Sequence, residues 1–162
     1  MRYSRRIVLA LLPVFALAQF AAAQVLDQVP EGALVVAKVR NLAETNTKLA
    51  GFFKDLGVDQ LSPDLADPLA AIKKKLGIQQ GMDETGELAF VFVDPSVSGA
   101  DEEHSMLILV PVTDYKAFTG NFPEAKTEGD FTEAKLGKDN DPSYITPWGK
   151  FAAISPDRKS VV

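Results

Sequence analysis

The apolar positions of this chain fall into three rhythms: one unbroken run, several short β-like runs, and stripes at helical spacing. The unbroken run covers residues 7–18. Next come Ala33-Leu-Val-Val-Ala-Lys-Val39, Leu88-Ala-Phe-Val-Phe-Val93 and Ser105-Met-Leu-Ile-Leu-Val-Pro-Val112. Their length and their Val, Ile and Phe content predict strands. The first is expected near the centre of its sheet. The third, apolar at nearly every position, is expected to be covered on both faces. Helical spacing appears at Leu42, Leu49, Phe52, Phe53 and Leu56, after Asn41 at an N-cap position and before Gly57 as a stop. Ser62-Pro63-Asp64 and Asp67-Pro68 each put Pro just inside a helix start. The second opens a helix whose Leu69, Ile72 and Leu76 face inward. Lys73-Lys74-Lys75 falls in its last turn, where cations suit the negative end of the helix dipole.

Residues 77–86 read as a turn-rich connection and 94–104 as a polar loop. Thr113 or Asp114 caps a further helix with Tyr115, Phe118 and Phe122 as its buried stripe. Short strands are expected at 130–135, 143–147 and 150–154, the last two joined by Pro147-Trp148-Gly149. The order β-α-α-β-β-α-β-β-β predicts an α+β domain. Its antiparallel-rich sheet carries helices on one face, in a ferredoxin-like or related arrangement with a C-terminal hairpin. Strand order is left open. Ser155-Pro156-Asp157 reads as a helix start with only five residues behind it, too short for a stable isolated helix. Two expectations follow for 156–162: the front of a helix that continues in a longer protein, or a frayed tail.

The unbroken run has an address-like setting. Arg2, Arg5 and Arg6 precede it, and Ala21-Ala22-Ala23 offers a signal-peptidase site before Gln24. A membrane-spanning helix needs about 20 apolar residues, and this run is shorter, carries Pro13 and is closed by Gln19. The expected organisation is a signal peptide over 1–23, a lead-in over 24–32 and one α+β domain over 33–155. With the leader removed, no stable membrane anchor is expected. Arg5-Arg6 also admits twin-arginine export.

The leader holds three of the 17 basic side chains and none of the 22 acidic ones, so the net charge of −5 becomes about −8 without it. That surface repels phosphate backbones, and nucleic acid is not an expected partner. With no cysteine, disulfides, thiolate catalysis and thiolate metal sites are excluded.

Candidate chemistry is sparse. His104 is the sole histidine, too little for a typical zinc site. Beside it, Asp101 and Ser105 do not supply triad geometry by adjacency, and no Gly-x-Ser-x-Gly elbow occurs. The acidic clusters Asp101-Glu102-Glu103 and Asp139-Asn140-Asp141 offer hard oxygen ligands without calcium-loop spacing, and read as solvated turns. The glycines of 77–86 lack a phosphate-cradling pattern. Tyr144, Trp148 and Phe151 form either an exposed platform or ordinary core. Alternation, which puts Tyr144 and Trp148 on one side, favours core. No catalytic residue, cofactor or metal ligand is assigned.

Val29-Pro30-Glu31-Gly32-Ala33, the run Val35–Leu42, Gly86-Glu87-Leu88-Ala89, the run Val110–Phe118, Tyr144-Ile145 and Phe151–Pro156 together resemble a set of exported bacterial proteins of unknown function. These open with Pro-x-x-Ala, a strand, then Asn or Asp before Leu. The resemblance implies a longer chain of related α+β units and carries over no catalytic residue. The expected role is an exported, non-catalytic envelope or cell-surface domain that packs against a neighbouring domain or an envelope protein. The alternatives are the front part of an envelope hydrolase whose active site lies outside this chain, and a periplasmic module for a small ligand or cation.

Overall fold

The computed structural model describes residues 25–99, 105–136 and 142–161. Seven strands form one antiparallel sheet: β1 (Ala33–Val39), β2 (Leu88–Val93), β3 (Met106–Pro111), β4 (Lys126–Glu128), β5 (Phe131–Lys135), β6 (Pro142–Trp148) and β7 (Phe151–Ser155). Their order across the sheet is β1-β2-β3-β7-β6-β5-β4. The first three strands walk inward from one border and the last four from the other, meeting where Leu109 pairs with Ala153. Five α-helices accompany them: α1 (Leu42–Asp55), α2 (Pro63–Ala66), α3 (Pro68–Leu76), α4 (Pro95–Ser98) and α5 (Tyr115–Thr119). The fold is α+β, with α1, α3 and α5 over one face of the sheet.

The caps form as their residue types demand. Asn41 takes the left-handed conformation, φ 45°, and its side chain accepts from the Glu44 amide. Asn is one of the few residues besides Gly that tolerates that region. Asp67 caps α3 through the Ala70 amide, and Asp114 caps α5 through the Ala117 amide. Of the two residues proposed to cap α5, Asp114 does so. That helix stops at Thr119, and Phe122 follows in the next turn. Ser155 accepts from the Asp157 amide and opens a 3-10 turn over Arg158–Val161.

Two expectations are corrected. β1 lies at a border of the sheet, not near its centre, and leaves Leu34, Val35 and Ala37 exposed. A continuous apolar run reports what a strand can bury and not how many neighbours it has. β3 is covered throughout on one face, where Leu107 and Leu109 are fully buried, but only partly on the other, where Val110 is buried and Met106 and Ile108 are half-open. Two elements went unforeseen, the short β4 and the single-turn α4, which is capped by Asp94 within the stretch read as a loop.

The closed face holds Ala89, Val91, Leu107, Leu109, Phe151 and Ala153, joined by Val25 and Val29 of the front segment. Phe151 belongs to this cluster, and Tyr144 and Trp148, partly buried, pack against it from the side that alternation gives them. The front segment is tied down by a charge cluster. The Val25 amide donates to Glu87 Oε2 at 3.2 Å, and Lys38 Nζ lies 3.2 Å from Glu87 Oε1. Burial pushes the Glu87 carboxyl up, but the Val25 amide, the Lys38 ammonium and Arg40 outweigh it and hold it below the ordinary glutamate value.

Candidate functional site: an apolar cleft beneath two helices

The alternation of burial along the strands locates the site. On β2, Ala89, Val91 and Val93 are buried, while Leu88 and Phe90 are half-open and Phe92 is exposed. The second set points to the helical side, where α1 and α3 stand away from the sheet. Between them lies a cavity of about 490 Å³. Its roof is Leu42, Thr45, Asn46 and Leu49 of α1 with Pro68, Leu69, Ile72 and Leu76 of α3. Its floor is Val39, Leu88, Phe90, Met106, Ile108, Val110 and Ile154, and its inner end is lined by Ile78, Phe118 and Phe122. A cavity in the range of roughly 300–1,000 Å³ with apolar walls is a usual ligand site.

The roof is a rigid pair. Asn46 bridges the two helices, accepting from the Leu69 amide at 2.8 Å and donating to Asp67 Oδ1 at 3.0 Å. Two amides in the first turn of α3 are thus satisfied by side chains, which a helix start requires. One end of the pair is fastened to the sheet side. The Ala43 amide donates to the Glu84 carbonyl at 2.8 Å, Lys73 pairs with Glu84, and the Asp83 amide donates to the Pro111 carbonyl at 2.9 Å. Gly86 lets this loop approach β3: a Cβ there would sit 2.5 Å from the Pro111 Cβ. At the far end Phe52, Leu56 and Leu61 are exposed.

The helical spacing of Leu42, Leu49, Phe52, Phe53 and Leu56 is therefore a helix signal, but only Leu42 is buried. Leu69 and Leu76 do turn inward, half-buried, and Ile72 reaches the cleft while 54% exposed. A stripe that walls a cleft has the same spacing as one that fills a core, so periodicity does not separate the two. Beside the inner end is a second, polar recess of about 310 Å³, lined by Lys74, Lys75, Asn121, Glu124 and Lys135. Leu76 and Phe122 wall both spaces.

Among the other candidates, Ser105 is buried at the start of β3. His104, Asp101-Glu102-Glu103 and Asp139-Asn140-Asp141 lie outside the described residues. Among the described residues, no group of three or more His, Asp or Glu is placed to hold a metal ion, and no helix is long and apolar enough to cross a membrane. Comparison with family models, curated proteins and solved structures gives no match.

Proposed function

We propose that this is an exported, non-catalytic envelope or cell-surface module that holds an apolar guest in the cleft beneath α1 and α3. One observation carries the reading: apolar side chains from three helices and four strands line a space they do not fill. Interiors are normally packed with few voids larger than a water molecule. Each methylene that leaves water for such a space contributes about 0.8 kcal/mol, which offsets the loss of freedom a guest suffers on binding. The arginine-led leader supports export.

A fluorescent apolar probe such as N-phenyl-1-naphthylamine tests the cleft. The expected result is saturable binding at one site, weakened in Ile72→Glu, which places a charge on an exposed wall position without disturbing buried packing. Unsaturable binding, or binding equal in the two proteins, sinks the reading. N-terminal sequencing of the protein from an envelope fraction tests export, with Gln24 as the expected first residue.

Packing against an envelope protein or a neighbouring domain has its own support. Phe52, Leu56 and Leu61 lie exposed at the far end of the helical pair, and clustered exposed apolar groups mark interaction surfaces.

A further inference from the structure

The polar recess at the inner end of the cleft narrows the class of guest. Three lysines line it, Lys74 and Lys75 from the last turn of α3 and Lys135 from the end of β5, against one carboxylate, Glu124. Lys135 Nζ lies 3.6 Å from Glu124, and Lys75 Nζ lies 3.4 Å from Asp64 outside the recess. Lys74 has no carboxylate partner among the described residues. The recess thus keeps an excess of positive charge on a chain whose net charge is −5. It adjoins an almost wholly apolar space, with Leu76 and Phe122 lining both. The geometry points to a free fatty acid as the guest, its hydrocarbon tail in the cleft and its carboxylate among Lys74, Lys75 and Lys135. This assignment rests on the cleft being a binding site. The recess adds the demand for a negative head.

The charge complementarity is local. A neutral head gains nothing from the recess, and a cationic head is repelled by Lys74 and Lys75. The tail gains by length, with each added methylene tightening binding about fourfold until the cleft is full. The three lysines are exposed, so their reversal leaves the core intact.

Titration calorimetry on the full chain, with dodecanoate, 1-dodecanol and dodecyltrimethylammonium below their aggregation limits, separates head from tail. The expected result is one dodecanoate per chain, bound about tenfold or more tighter than dodecanol, with the cationic amphiphile weakest. The triple variant Lys74→Glu/Lys75→Glu/Lys135→Glu is expected to remove that tenfold preference and leave dodecanol binding unchanged. Ile72→Glu is expected to weaken both, and circular dichroism melts check that each variant is folded. Equal binding of dodecanoate and dodecanol by the unaltered protein, or a triple variant that keeps the preference, overturns the fatty-acid assignment while the apolar cleft stands. No binding of any of the three overturns the cleft reading together with it.

Discussion

One face of the sheet carries two helical covers, and they behave differently. Under α5 the face is sealed: Phe118 is fully buried beside Ala134, Ile145 and Ala152. Under α1 and α3 it is open, over Phe90, Met106 and Ile108. The difference begins with side-chain size. Alanines on β5 and β7 leave room for Phe118 and Phe122, which meet edge to face at 5.8 Å between centroids, to descend onto the strands. Bulky residues on β2 and β3 instead lie beneath a helical pair that stands off the sheet, and the tether through loop 83–86 fixes that pair at one end. Tight packing and a cleft are thus two outcomes of the same apolar pattern, decided by what each helix meets below it.

Phe118→Ala strikes the sealed half hardest. It is expected to cost about 3–5 kcal/mol in urea unfolding. Gly81→Ala comes next. Gly81 has φ 83°, and a Cβ there would lie 2.3 Å from the Phe118 amide nitrogen, so the loop can no longer approach α5. A loss of about 1–3 kcal/mol is expected. In the open half, Asn46→Ala removes the bridge between α1 and α3 at an expected cost of about 1 kcal/mol. It should also loosen apolar-probe binding, which Gly81→Ala should affect less.

The Glu87 cluster gives a pH test on the opposite face. Because the folded carboxyl titrates below its ordinary value of 4.5, its contribution is complete above that value and is lost as pH falls through the lower folded pKa. Melting temperature should therefore drop more steeply below about pH 4.5 in the native protein than in Glu87→Gln. The smallest effect is expected for Ile72→Ala, within about 0.5 kcal/mol on stability, yet with measurable loss of probe binding. A large stability loss there would mean the cleft is a packed interior after all.

The parts of this fold legible in the sequence are those fixed by neighbours along the chain. Asn41, Asp67 and Asp114 mark helix starts through short-range hydrogen bonds, and strand runs identify themselves by β-branched content. What depends on distant neighbours is not legible. Val35 and Val91 look alike as sequence, but one lies on a border strand and the other at the centre of the closed core. Lys126-Thr127-Glu128 has no strand character of its own and becomes β4 only by pairing back on β5 across Gly129, whose φ is 62°. The cleft was hidden for the same reason: Leu49 and Ile72 sit at core spacing, and the gap beneath them belongs to two layers at once. The lysine triplet, read as dipole compensation, does end α3. That reading holds alongside the recess it lines, because Lys135 joins it from a strand about sixty residues away.

Along β1 the sheet stops on seven mostly aliphatic residues, with no strand beside them among the described residues. Its opposite margin is three residues long and begins and ends on a charge, Lys126 and Glu128, a brief and charged rim of the kind that deters stacking. Growth by strand accretion is therefore one-sided: an extended chain can zip onto the aliphatic margin and is turned away at the charged one. Were two copies to meet along that margin, the pair would present only its brief charged rims outward, and accretion would stop at two.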